Sequence, residues 1–559
     1  MMRFLAWAVP LMPFVVAMCP SMIQAELGPS IVVTHHPHAT QAGEDILAAG
    51  GNAFDAFVAA TLAEYVVAEG GTSLAGPLGA LVFDAETQEV AYLDADFNEV
   101  QDPKGKWSTW DGIVTWLGFN RTGKAALVPG ALAGLEEMSR RYGTLSFDQV
   151  VQPALKLARD GFPLSEFYAA VLQWSAKVLQ RTEYGRRTFF RNGQPLRPGD
   201  TLQQPEVAAF LSKVATQGAA YMYRGDWARE CVRIVRSQRG RMTEEDLASY
   251  RPSWHKPWQI RYRGYDLYAP SGRDWGGLWV NLALLALENT NLADMGHYSR
   301  SAEALEVLVR TARQVWEELP WLDDPRVLED RAAVESRLTP SYAKELWNRV
   351  TQKLPAGTAA RRGSHSYHIT VVDKHGNVVT GTHTIQALPW GDGIFVEGIP
   401  LTQMGYMPAK SGPGERRVDA LTMHLGFREG IFRFATGAFT SALLETNLQF
   451  LLNVIDYELP PDVAASLPRF GTFPHDLRGK IDLAANWLDP DIPEEVVRQL
   501  ESRHLSFVRK GPFVCTGLDT GLGAIVAVQP DGSLAGATAP WPGLTTPWRP
   551  CAEPIRRID

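Results

Sequence analysis

The chain has 559 residues, 45% of them hydrophobic and 21% charged, with a net charge of −8. That length allows one large core or two to three domains, and the composition excludes a disordered or fibrous chain. No basic run, heptad or short repeat stands out, so nucleic acid is not an expected partner. CxxC and HExxH are both missing, so no metal site or cofactor is predicted.

The first 25 residues differ from the rest. Arg3 is the only charge before Glu26, apolar residues dominate from Phe4 to Met18, and the segment ends at Ala25. This pattern predicts a secretory signal at 1–25 and a periplasmic or secreted product. Pro10, Pro13 and Pro20 and the short apolar core argue against a spanning helix, so no stable membrane anchor is expected after cleavage. Cleavage leaves Cys231, Cys515 and Cys551. An odd count is no disulfide scaffold; Cys515 and Cys551 could pair, or all three could be free thiols.

Two amphipathic helices are predicted next. The first follows Thr40 as N-cap and ends at Gly50-Gly51; the second carries Phe54, Phe57, Val58, Thr61, Leu62, Tyr65 and Val66 at helical spacing. A Gly-rich stretch over 70–79 leads into strands at Ala80–Phe83 and Glu89–Leu93. Helices dominate from about Ala131 to Arg349, interrupted by a strand pair near Tyr262–Tyr268. Lys353–Gly363 reads as a loop, and strands follow, with a helix near 441–454.

The stretch Ser366–Thr384 reads as a hairpin. Tyr367, Ile369 and Val371 alternate with Ser366, His368 and Thr370, and Asp373–Asn377 supplies turn residues. If Asp373 opposes Asn377, constant-sum pairing puts Ser366 opposite Thr384. Thr380 and Thr382 then share a face with Thr384, giving one apolar and one hydroxyl-rich face. From pattern alone, the hydroxyl-rich face is expected to be solvated.

An ordered set of motifs resembles the γ-glutamyltransferase family of N-terminal-nucleophile hydrolases. His38–Ala56 is similar to its first signature; Val128–Gly134, Val151–Gly161, Met242–Tyr250, Tyr262–Tyr268 and Trp275–Gly277 follow in the family's order. Val371–Asn377, Ile455–Tyr457 and Pro530–Ala537 continue it, so the resemblance covers roughly residues 30 to 545. It implies a four-layer αββα sandwich, an α/β (α+β) fold whose precursor cuts its own chain. On that resemblance the scissile bond is His365–Ser366, dividing a large-subunit region, 26–365, from a small-subunit region, 366–559. The processed protein would be a heterodimer of its own two fragments. Ser366 takes the nucleophile position, normally threonine; Ser364 and Thr370 are nearby alternatives, each of which would shift the register. Thr384 falls where a second threonine supports the nucleophile's hydroxyl. A terminal hydroxyl residue carries its own amine as proton acceptor, so no histidine is needed.

Several residues depart from the family pattern. Where the family has an arginine for the glutamyl carboxylate, this chain has Asn98; the acidic position falls near Tyr406, in a stretch without a carboxylate. Paired serines align with Ala420 and Leu421, and an asparagine with Gln386. The oxyanion region, Thr436–Ser441, contains Phe439 and Thr440 instead of a glycine pair, so a backbone conformation open only to glycine is expected to be lost. These residues predict an uncharged acyl pocket and a small-molecule or peptide-like amide substrate other than a γ-glutamyl compound. Two other readings stand beside this one. The first is a non-catalytic binding or scaffold protein. The second is a γ-glutamyl enzyme in which Arg361, Arg362 or Arg416 replaces the lost arginine.

Overall fold

The computed structural model describes residues 29–105, 122–352, 366–387, 389–402, 404–406, 410–440, 442–472, 486–505, 507–509 and 521–540. The leader 1–25, the loop 353–363, His365, Cys515 and Cys551 lie outside the described residues. Cys231 is a buried free thiol.

Twelve strands build two six-stranded antiparallel sheets. In chain order they are β1 (Ile31–Val33), β2 (Leu78–Asp84), β3 (Glu89–Ala95), β4 (Ser253–His255), β5 (Trp258–Tyr262), β6 (Tyr265–Ala269), β7 (Ser366–Val372), β8 (Val378–Thr384), β9 (Thr422–Arg428), β10 (Ile431–Phe439), β11 (Leu522–Val528) and β12 (Leu534–Thr538). The first sheet runs β1-β7-β8-β2-β3-β4 and the second β12-β11-β10-β9-β6-β5. Segments far apart in sequence interleave in both, so neither half of the chain could complete a sheet alone.

Helices cover both outer faces, which completes the four layers. Over the first sheet lie α1 (Pro37–Ala48), α2 (Ala53–Val67) and α3 (Phe147–Asp160); over the second lie α4 (Gly276–Leu287), α5 (Ala302–Trp316) and α6 (Leu443–Ile455). The start of α1 differs from expectation. His36 caps it, its Nδ1 accepting from His38 N at 3.3 Å, and Pro37 opens the first turn, so Thr40 lies inside the helix. The caps of α2 follow the capping-box pattern: Asn52 Oδ1 accepts from Phe54 and Asp55 N at 3.0 Å, and Asp55 accepts from Asn52 N. The expected amphipathic character of α2 is not observed. Its residues are buried on nearly every side because alanines and aromatics occupy all faces. Phe57 presses on β8 at Gly381, where a Cβ would lie 2.6 Å from the ring.

A third apolar cluster fills the space between the sheets, with Leu81, Phe83, Val378, Met423, Leu425 and Phe427 among its members. The hydroxyl-rich face of β7 and β8 also points here. His368, Thr370, Thr380 and Thr382 are all buried, so the expectation of a solvated face is overturned. Tertiary burial decides which face of an alternating strand is wet, and here both faces are covered. Thr370 Oγ1 and Thr380 Oγ1 lie 2.8 Å apart, so the hydroxyls satisfy one another across the strands. Among the described residues, no helix is long and apolar enough to cross a membrane.

Candidate active site

The observed register pairs Ser366 with Thr384, at the open ends of β7 and β8, as the constant-sum argument predicts. Thr384 Oγ1 accepts a hydrogen bond from Gln386 N at 2.8 Å. The Gly-rich stretch wraps this end of the hairpin: Ile385 N donates to Gly71 O at 3.1 Å and Trp390 N to Gly70 O at 3.0 Å. Both Ser366 and Thr384 are buried.

Polar groups brace the strand on both faces. On the helix side, Tyr367 Oη donates to Glu69, within 2.6 Å of both carboxylate oxygens, and His383 Nε2 lies 2.7 Å from Glu64 Oε2. Burial pushes Glu69 up to about 7, pushes Glu64 well up, and pushes His383 down to about 3. The His383–Glu64 contact is therefore a hydrogen bond between two neutral groups, not an ion pair. Between the sheets, His368 lies 2.8 Å from Thr382 Oγ1 and 2.9 Å from Thr380 Oγ1. Burial, helped by the nearby His35, lowers it to about 3. The ring fits because residue 437 is glycine; a Cβ there would fall inside the imidazole. His368 is thus a neutral structural group.

The residues expected to line the substrate side come from several segments. Asn98 exchanges backbone hydrogen bonds with Val128 at 3.0–3.1 Å and bridges to Arg416; its buried Oδ1 has no partner among the described residues. Tyr406 closes a 3-10 turn, Met404–Tyr406, in which Met404 packs on Phe97 and Leu127 beside Asn98. Ala420 and Leu421 lead into β9, and Leu421 lies beside Tyr92 over Gly79. Gln386, in the left-handed region at φ 50°, donates from Nε2 to Asp419. Phe439 is packed rather than open, its ring stacked on Tyr367 at 6.1 Å and edge-on to His35 at 4.7 Å.

Thr440 corrects one sequence expectation. Its φ is 74°, so the left-handed backbone persists there without a glycine. A β-branched residue in that region is an outlier that its surroundings must hold in place, at a cost of about 1–3 kcal/mol.

Sequence reasoning missed a group of acids. Asp94, Asp96, Asp274 and Asp419 gather near Gln386, so buried acids adjoin the segments expected to line an uncharged pocket. Asp274 accepts from Tyr92 Oη at 2.8 Å and from Gly276 N at 3.2 Å, and its backbone bridges to Asp419. Burial and the neighbouring acids push Asp96 and Asp274 well above the usual carboxylate range. Arg416 stands among them, Nε 3.4 Å from Asp94 Oδ1, with Nη1 donating to Asp96 O and Tyr250 Oη and Nη2 to Arg251 O at 2.6 Å. The signal was adjacency: Asp96 and Asp419 flank Asn98 and Ala420, both already singled out.

The profile of the Gamma-glutamyltranspeptidase family matches residues 39–541. This chain belongs to the γ-glutamyltranspeptidase family. It is accordingly an enzyme of the hydrolase and acyltransferase class. Among its relatives it is similar to the acylase ACY 1 proenzyme of Pseudomonas sp. (strain SE83), 29% identical over 549 residues, 92% of this chain and 93% of that one. It is equally similar to the glutathione hydrolase proenzyme of Escherichia coli (strain K12), 29% identical over 541 residues, 90% and 88% of the two chains. The fold is shared with the cephalosporin acylase of Bacillus halodurans, with a TM-score of 0.77 and 22% identity over 97% of this chain and 100% of that one. Acylases and glutathione hydrolases thus match equally well, and family membership does not choose between their substrates.

Proposed function

We propose that this protein is exported through its 1–25 leader, cuts itself at His365–Ser366, and then hydrolyses or transfers the acyl group of a non-glutamyl amide. The family relatives are proenzymes, which supports the self-cleavage. In the first step Ser366 Oγ attacks the carbonyl carbon of residue 365. Breaking of the bond from that carbon to the Ser366 nitrogen leaves an ester on Oγ and frees the α-amine, and water then cleaves the ester to release the carboxylate of residue 365 and the Ser366 hydroxyl. In catalysis that amine takes the hydroxyl proton while Oγ attacks the substrate amide, and it returns the proton to the leaving amine. Water or an acceptor amine then resolves the ester. Thr384 orients the hydroxyl, and backbone N–H groups at the left-handed Thr440 turn receive the oxyanion. Burial lowers His368 to about 3, and its ring is bonded to two threonine hydroxyls, so it is a poor base for this step.

The observation that carries the nucleophile assignment is the pairing of Ser366 with Thr384 at the open strand ends. The commitment of Arg416 to Asp94, Asp96 and Tyr250 supports the non-glutamyl specificity. The test is a denaturing gel with N-terminal sequencing of the exported protein. Scaling 61.7 kDa by residue count predicts co-purifying fragments of about 37 kDa and about 21 kDa, the smaller beginning at Ser366. Ser366→Ala should leave one uncut band. A wild-type protein that remains a single chain, or an alanine variant that still cuts here, would overturn the assignment.

A further inference from the structure

On the proposed reading, self-cleavage makes Ser366 the first residue of β7, and strand ends fray unless something ties them down. The strand ladder ties this one on a single side. β8 pairs with β7 from Ser366 to Val372, whereas β1 reaches only Thr370–Val372. Among the described residues, Ser366 to Ile369 therefore have one strand neighbour. The next anchor along the chain is a side chain, that of the buried Tyr367.

Tyr367 Oη donates to Glu69. The residues after Glu69 hold the chain just past β8, where Gly70 O and Gly71 O accept from Trp390 N and Ile385 N. The Tyr367 ring lies nearly parallel to that of Phe439, with centroids 6.1 Å apart and 12° between the planes. His35, which follows β1 closely, is edge-on to both rings, 4.7 Å from Phe439 and 6.3 Å from Tyr367. Its Nε2 lies 3.2 Å from Gly523 O on β11, next to the Leu522 that pairs with Phe439. Burial lowers His35 to about 4, so its ring is neutral. Phe439 ends β10 and is followed directly by Thr440 and its left-handed backbone. Tyr367 is thus the neighbour of Ser366 and is stacked on the neighbour of Thr440.

We propose that Tyr367 is a positioning residue for this reaction: its ring, stacked on Phe439, sets Ser366 Oγ against the backbone N–H groups of the Thr440 turn. β7 belongs to the first sheet and β10 to the second, so no strand ladder fixes the separation of the two sites. Ring pairs favour offset-parallel and edge-on arrangements, and His35, Tyr367 and Phe439 use both, so sliding one sheet over the other breaks a ring contact. A misplacement of about 1 Å between reacting groups can cost about a hundredfold in rate. Successive side chains of a strand leave it on opposite faces, so Tyr367 acts on the backbone of Ser366 and not on its hydroxyl. The inference rests on the proposed reading of Ser366 as nucleophile, and the experiment separates the two.

The probe is p-nitrophenyl acetate. Ser366 Oγ forms an ester with the acetyl carbon, p-nitrophenolate leaves, and the α-amine takes the hydroxyl proton. Stopped-flow absorbance gives the burst amplitude, which counts working sites, and the acylation rate per site with its half-saturating concentration. Tyr367→Leu should slow acylation per site about tenfold or more and move half-saturation by less than about twofold. Tyr367→Phe keeps the ring and should return the rate to within about threefold of wild type. Phe439→Leu should slow acylation like Tyr367→Leu, and the double variant should lose little beyond either single change. Self-cleavage half-times of the precursors make the same comparison with no added substrate. A smaller burst with an unchanged rate per site would mean that Tyr367 only supports folding, and would overturn the inference. A phenylalanine variant as slow as the leucine one, or losses that multiply in the double variant, would also overturn it. A burst that survives Ser366→Ala would overturn the function reading instead. A Ser366-dependent burst at the wild-type rate in Tyr367→Leu would overturn this inference alone.

Discussion

Thr440 sits where a relative with a glycine pair would bend without strain, yet it holds φ 74° with a branched side chain. If the backbone N–H groups of this turn receive the oxyanion, the conformation matters and the side chain does not. Thr440→Gly should therefore keep turnover within a few fold of wild type. Thr440→Pro, which fixes φ near −65° and removes an N–H, should lose about 10²–10³ in kcat. Steady-state kinetics on the processed protein measure both. Equal activity in the proline variant would remove Thr440 from the oxyanion site. The same residue shows why composition misleads here. The missing glycine pair was legible, but the retained bend was not, because packing of Phe439 on Tyr367 and His35 holds the chain on one side of it.

The hairpin β7–β8 is the element whose geometry was most fully legible. Alternation and a turn with Asp373 and Asn377 set its register to the residue, since Asp373 N donates to Asn377 O at 3.1 Å. What alternation could not supply was the environment of each face. α2 covers one and the second sheet the other, and both come from distant parts of the chain. Burial gives the hairpin a pH dependence through Glu69, whose carboxyl is raised from 4.5 to about 7 beneath Tyr367. In the unfolded chain it ionises at its ordinary value, so between about 4.5 and about 7 the folded state binds more protons. Stability from this group is present below that window and lost as pH rises through it, by roughly 3 kcal/mol in all. Glu69→Gln mimics the protonated acid and still accepts from Tyr367. Its stability relative to wild type should rise by up to that amount between pH 4.5 and pH 8. Parallel urea-unfolding profiles for the two proteins across this range would refute the assignment.

At the scale of the molecule, the four-layer sandwich brings together segments that no local motif connects. Asp94 is the penultimate residue of β3, Asp274 precedes α4, Asp419 precedes β9 and Gln386 follows β8. The acids were legible individually in the sequence but their convergence was not, because it depends on how the two sheets face each other. That convergence bears on glutamyl chemistry. A γ-glutamyl donor needs a cation for its α-carboxylate, and Arg416 does stand beside Asn98, so one candidate for a substitute arginine is in place. Its donors, however, are taken by Asp94, Asp96, Tyr250 and Arg251. Ala420 and Leu421, which the sequence reading aligns with paired serines, offer no side-chain hydrogen bonds. Each lost charge-assisted contact is worth roughly 1.5–3 kcal/mol, and two or three together weaken binding about a thousandfold or more. The same contacts would place the acyl carbon against Ser366, so the rate should fall with the affinity. A chromogenic γ-glutamyl anilide should therefore show no turnover by the fully processed protein, run beside an active glutathione hydrolase. Comparable turnover, abolished by Ser366→Ala, would mean that Arg416 exchanges its acidic partners for the substrate.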